Sequence, residues 1–228
     1  MRRVLSILLM AVSGPMVLAA AEQTDLAAIK QKALAGDPAA QVQVGMSYAL
    51  ASPRNPKEAI KWFQMAADQG YPDGEYRLGG MLDVGITPQN PTEAIKWYTK
   101  AADQGYKDAQ FRLAVMYDRG RGVSQSYSEA AKWYTKAGEQ GHPEAQYRLG
   151  VMYEEGKGVP QDYSLAMKWY LKAAAGKFGA GAEYKIGTFY EHGYGVPKSR
   201  DQAIAWYQKS DKHGDVDAGQ ALRALEQQ

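Results

Sequence analysis

AIKWYTKAADQGY (residues 94–106) and AAKWYTKAGEQGH (residues 130–142) are nearly the same phrase written twice, and AIKWFQMAADQGY (residues 59–71) is an earlier copy. The five tryptophans follow the same rhythm: Trp62, Trp97, Trp133, Trp169 and Trp206 are spaced by 35, 36, 36 and 37 residues. Three residues before each lies an alanine (Ala59, Ala94, Ala130, Ala166, Ala203), and an aromatic follows each (Phe63, Tyr98, Tyr134, Tyr170, Tyr207). A second anchor recurs upstream: Val44-Gly45, Leu78-Gly79, Leu113-Ala114, Leu149-Gly150 and Ile186-Gly187. Self-similarity at this period marks a repeat architecture.

Each unit reads as two helices. In the third, Ala109, Leu113, Met116 and Tyr117 fall at helical spacing until Gly120-Arg121-Gly122 stops the pattern. The second helix opens near Ser126 or Ser128, carries Ala130, Trp133, Tyr134 and Ala137 as its apolar stripe, and closes at Gly141. Small residues let the helices approach while Trp and Tyr fill the spaces between them. Such a pair cannot bury its own apolar face and must stack on its neighbours. At the ends, LAAIKQKALA (residues 26–35) reads as a second helix without its first, and DAGQALRAL (residues 217–225) as a first helix without its second. Half-repeats of this kind cap a stack. The expected fold is all-α, an α-solenoid of about twelve helices. Its five helix pairs of about 36 residues span 37–214, between capping helices at 22–36 and 215–228.

The segment AQYRLGVMYEEGKGVPQDYSLAMKWYLKAA (residues 145–174) resembles the Sel-one-like repeat, a relative of the tetratricopeptide repeat. The shared pattern is A-x-x-x-L-G-x-M-Y-x-x-G-x-G-V, a polar turn, then A-x-x-W-Y-x-K-A. Units three to five match it closely, whereas units one and two lack G-x-G-V in the loop between their helices. The resemblance implies a right-handed superhelix of antiparallel helix pairs with a concave surface, and a protein that works by binding other proteins. Among exported members of the family it points to an immunity or inhibitor protein that clamps an antibacterial effector. A regulator of a membrane sensor or an envelope scaffold is the alternative.

Met1-Arg2-Arg3, an apolar run from Val4 to Leu18 and Ala19-Ala20-Ala21 match a secretory signal peptide over 1–21, which would place the mature chain in the periplasm. The run falls short of the ~20 residues that span a bilayer. Of 27 Lys+Arg, Arg2 and Arg3 lie in this leader, and the remaining 25 balance 25 Asp+Glu. Charge balance argues against a nucleic-acid partner, which calls for a basic stripe. With no cysteine in the sequence, neither lipid attachment at a cysteine nor a disulfide is available. The capping half-repeats suit a monomer.

No catalytic constellation emerges, and no cofactor or metal site. His142, His192 and His213 lack a second ligand at metal spacing and sit in turns or at helix ends. Gly120-Arg121-Gly122, Gly156-Lys157-Gly158 and Gly193-Tyr194-Gly195 each follow a helix, not a strand, and read as turns rather than phosphate loops. Glu154 and Glu155 are adjacent, so on a helix they diverge by about 100°. Glu58, Glu93 and Glu129 precede Lys61, Lys96 and Lys132 by three residues, which is surface helix pairing. The cell-wall and lactam chemistry linked to some family members involves cysteine-paired repeats, which this chain cannot form.

On a helical wheel, the side of the third unit's first helix opposite its core stripe is centred on Phe111, Val115 and Asp118. Equivalent positions hold Tyr76; Tyr147, Val151 and Glu154; and Tyr184 and Glu191, with Arg77, Arg112, Arg148 and Lys185 following the rings. Aromatic and Arg columns are the residue types of binding hot spots, so these positions are the candidate partner surface. The competing reading packs the rings between neighbouring first helices under Arg side chains. The tryptophans are expected to be structural.

Overall fold

The computed structural model describes residues 26–84, 88–176 and 179–227 and, among these, contains twelve helices and no strand. The leader at 1–21 therefore lies outside the described residues. The chain divides into two compact units, one ending at Asn90 and the other beginning at Pro91.

The first unit holds α1 (26–34), α2 (Pro38–Leu50), α3 (Pro56–Asp68) and α4 (Pro72–Val84). Asp37 caps α2 by accepting from the amides of Ala39 and Ala40, and Asn55 caps α3 by accepting from Glu58. A proline opens each of α2, α3 and α4, where its missing N–H costs nothing. Ala33, Ala40, Val44 and Trp62 form one core cluster of this unit, with Tyr48 and Met65 packed against it.

The second unit runs through α5 (Pro91–Asp103), α6 (Lys107–Arg119), α7 (Tyr127–Glu139), α8 (Pro143–Glu155), α9 (Tyr163–Ala174), α10 (Gly179–His192), α11 (Arg200–Lys212) and α12 (Val216–Glu226). Each helix packs on the next in chain order, the contact pattern of stacked helix pairs. Side-chain oxygens of Ser126, Asp162 and Ser199 accept from the amides of Glu129, Leu165 and Gln202, which fixes where α7, α9 and α11 start. Of the two serines that the sequence offered for α7, Ser126 is the cap.

The G-x-G turns have two separate reasons for glycine. Gly156 ends α8 with φ 67°, a left-handed cap that closes onto Met152. Gly158 lies against the start of α7, where a Cβ would fall 2.4 Å from the Tyr127 carbonyl. A second close approach joins the two helices of a pair. A Cβ on Gly150 would lie 2.4 Å from the Tyr170 ring, so this ring rests directly on the α8 backbone.

The two aromatics of each second helix are buried to different depths. The residue after each Trp is the more deeply buried: Tyr98, Tyr134 and Tyr207 are 1% exposed and Tyr170 0%. Trp62 and Trp169 are buried, but Trp97, Trp133 and Trp206 are only half-buried. A second helix has one azimuth facing its own first helix, and Tyr takes it; Trp, 100° round the wheel, faces the neighbouring second helix and keeps an edge in solvent. Trp169 accordingly belongs to one core cluster with Ala130, Tyr134 and Ala137 of α7, and Trp206 packs against the cluster that contains Ala166, Met167 and Tyr170 of α9.

Candidate protein-binding surface

Phe111 is 7% exposed, stacked on His142 at 4.2 Å between ring centroids and tilted against Tyr134 at 5.8 Å. It is core, and this corrects its assignment to a free aromatic column. The wheel placed it opposite its own helix's stripe but could not foresee His142, the N-cap of α8, folding back over it. His142 Nδ1 accepts from the Ala145 amide at 3.2 Å while the ring covers Phe111. Burial lowers the His142 pKa below its ordinary value, against the opposing pull of Asp108 and Glu144.

Tyr147 and Tyr184 are half-buried, each tilted against the second-helix tyrosine of its own pair, Tyr170 at 5.7 Å and Tyr207 at 5.6 Å. Val115 and Val151 pack partly against the same clusters. In the first unit, Tyr76 is half-buried and Arg77 pairs with Asp73 at 2.9 Å, with its Nη1 2.6 Å from Met46 Sδ. Arg148 pairs more loosely with Glu144 at 3.6 Å, and Arg112 is exposed. The structure thus keeps exposed edges of Tyr147 and Tyr184 with Arg112 and Arg148, and removes Phe111.

The acids along this edge serve the interior. Buried Tyr134, Tyr170 and Tyr207 donate their hydroxyls to Asp118 (3.4 Å), to Glu154, and to Glu191 (2.6 Å), each sixteen residues earlier on the partner helix. Burial first, and the nearby carboxylates second, push all three phenol pKa values far above normal. Glu154 also accepts from Lys185 Nζ at 2.9 Å, which links α8 to α10. These carboxylates hold helices together and have little left for a partner.

A second polar series escaped the sequence reading. Gln41, Gln110 and Gln146 are buried and donate to the carbonyls of Ala33, Ala102 and Gly138 at 2.9–3.1 Å, eight residues back. Gln69 and Gln140 donate in turn to Gln41 and Gln110 at 2.8 Å. In the last repeat the pair becomes Glu183, fully buried, and His213, whose Nδ1 lies 2.7 Å from the carboxylate; Lys209 completes the site at 2.9 Å. The signal was present as a polar residue after the first-helix small residue in every unit, Ala-Gln, Gly-Glu or Ala-Glu. On the outer side, Lys100, Lys136, Lys172 and Lys209 lie 3.9–4.8 Å over Trp97, Trp133, Trp169 and Trp206. An open depression of about 430 Å³ on α7 is lined by Glu129, Lys132, Trp133, Thr135 and Lys136, all from one helix.

Five consecutive matches to the Sel1 repeat cover residues 38–71, 72–106, 107–142, 143–178 and 180–215. The chain belongs to the Sel1 repeat family. A protective antigen of uropathogenic Escherichia coli with the same fold superposes with a TM-score of 0.84 at 37% identity, over 88% of this chain and 43% of that one. The chain thus spans less than half the length of the antigen. A Sel1 repeat protein from Oxalobacter formigenes gives a TM-score of 0.70 at 32% identity, over 82% of this chain and 75% of that one. An immunity protein from Pseudomonas aeruginosa shares the fold with a TM-score of 0.50 at 21% identity, over 88% and 73% of the two chains. Among curated proteins, an F-box protein of Arabidopsis thaliana is 42% identical over 43 residues, which are 19% of this chain and 12% of that protein.

Sel1 repeats are protein-interaction repeats. Among the described residues, no group of three or more His, Asp or Glu could hold a metal ion. No helix among them is long and apolar enough to cross a membrane.

Proposed function

We propose that this chain is an exported, non-catalytic protein-binding solenoid that acts in the periplasm as an inhibitor. It would bind and neutralise an antibacterial effector such as a lipid- or wall-degrading toxin. The observation that carries the binding reading is the run of five Sel1 repeats whose first-helix face retains Tyr147, Tyr184, Arg112 and Arg148 at least partly exposed. Export is supported by the leader-like sequence of residues 1–21. The inhibitory role is supported by analogy with the Pseudomonas aeruginosa immunity protein, which shares the scaffold.

The test is affinity capture from the native periplasm with the tagged chain, followed by mass spectrometry. One stoichiometric toxin or hydrolase, released by the double variant Arg112→Glu/Arg148→Glu with helicity and melting unchanged, is the expected result. Capture of a membrane sensor or an assembly component instead overturns the inhibitory reading and makes the chain a regulator or scaffold.

A further inference from the structure

The second helices are near-copies, so a departure in one of them stands out. On α5 and α7 the outward positions read Glu93, Lys96, Thr99, Lys100 and Glu129, Lys132, Thr135, Lys136. Glu pairs with Lys in both, at 2.8 Å for Glu93–Lys96 and 2.6 Å for Glu129–Lys132. On α9 the same positions are Leu165, Lys168, Leu171 and Lys172. Both lysines are kept, the acid is gone, and two leucines stand 36% and 44% exposed. The first turn of α9 contains no acidic residue. These four side chains fall within about 120° of the wheel, so they form one face. The neighbouring α11, whose Trp206 packs onto the α9 core, continues the change with Gln202, Ala205 and Gln208 where α7 has Glu, Lys and Thr. The same arc of α11 also carries the exposed Asp201.

Exposing two leucines and leaving Lys168 without its acid brings the fold nothing, because α5 and α7 occupy the same place in the stack with a polar face. We propose that the outward face of α9 is a docking site for an acidic amphipathic segment of a partner protein. Its carboxylates meet Lys168 and Lys172, and its apolar side chains cover Leu165 and Leu171. Charge complementarity selects that occupant: the face offers two cations and no anion. Lys172 is held in place over the Trp169 ring at 4.3 Å, which reduces the entropy that pairing would cost. A lipid surface fits less well. Interfacial helices put their apolar residues on one face and their cations on the other, whereas here Leu and Lys interleave on a single arc. The proposal rests on the protein-binding reading but uses the second-helix face, not the first-helix face assigned to the effector.

The experiment titrates the full chain into a fluorescein-labelled synthetic helix that carries leucines at i, i+3 and i+7 flanked by glutamates. The same helix flanked by lysines and phosphatidylglycerol vesicles are run in parallel. The variant Leu165→Glu/Leu171→Thr recreates the α7 face, so it retains the fold, checked by thermal melting. The Glu-flanked helix is expected to bind at least about tenfold more tightly than the Lys-flanked one, and the variant to lose about tenfold. Equal binding by the variant, equal binding of both helices, association with vesicles alone, or no binding would each overturn the assignment. Failure of the periplasmic capture would leave this titration unaffected, so the two readings fail separately.

Discussion

Tyr170 donates its hydroxyl hydrogen to Glu154, sixteen residues earlier on the other helix of its pair. Tyr207 repeats this with Glu191 at 2.6 Å and Tyr134 with Asp118 at 3.4 Å. A tyrosine can therefore fill the tightest point between two helices, because its one polar atom emerges beside a carboxylate. Where Phe63 replaces it in the first repeat, no such partner is required. The abundance of Tyr over Phe in the sequence, 16 against 4, has its structural reason partly here.

Removing that hydroxyl measures the bond. Tyr170→Phe is expected to lower unfolding stability by about 1.5–3 kcal/mol, the range for a hydrogen bond to a charged group. Tyr134→Phe should cost less, since its bond to Asp118 is longer. Urea unfolding of the two variants decides this; equal losses would show that the carboxylates do not grade the interaction.

Gly150 is the other half of the same contact. Gly150→Ala would put a methyl 2.4 Å from the Tyr170 ring and is expected to cost about 1–3 kcal/mol through overpacking. The third repeat already contains this substitution as Ala114, and its Tyr134–Asp118 bond is the long one of the series. Ala114→Gly should accordingly have a small effect of either sign. Thermal melting of both variants provides the comparison.

The helix pairs, the Ser126 cap and the turns were legible in the sequence because they rest on short-range rules: helical spacing, a serine before the first turn, and glycine after the last turn. The side chains that tie one element to the next were not. Phe111 needed His142 from the N-cap of α8 to become core, and Glu154 needed both Tyr170 and Lys185. A wheel drawn for one helix contains no second helix. Glu183 and His213 could have been found, since they differ together from the Gln pair at the same positions of the third repeat.

His142 makes the fold sensitive to acid. Burial depresses its pKa below the ordinary value of about 6.5, so the unfolded chain takes up a proton more readily than the folded one. Its contribution is fully present above about pH 6.5 and is lost as pH falls through that value toward the folded pKa. Protonation would also remove the Nδ1 lone pair that accepts from the Ala145 amide. Melting temperatures between about pH 8 and about pH 5 should fall for the native chain. His142→Asn, which retains a capping oxygen, should flatten the acid side of that profile. An unchanged acid slope would assign the effect to other groups.

Trp133 and Tyr134 are neighbours with opposite environments, and their truncations should separate. Trp133 is half-buried, with Lys136 Nζ 3.9 Å over its ring, whereas Tyr134 is 1% exposed and bonded to Asp118. Tyr134→Ala deletes a ring enclosed by the α6–α7 pair and leaves both a cavity and a carboxylate that has lost its donor. It is expected near the upper end of the ~3–5 kcal/mol observed for buried aromatic-to-alanine changes. Trp133→Ala removes a ring that already has an edge in solvent, plus a cation–π contact of about 0.5–1 kcal/mol. Its loss should fall below that range. Denaturant midpoints of the two variants test the order, and a larger loss for Trp133→Ala would mean that packing between second helices, rather than within the pair, sets the stability of the repeat.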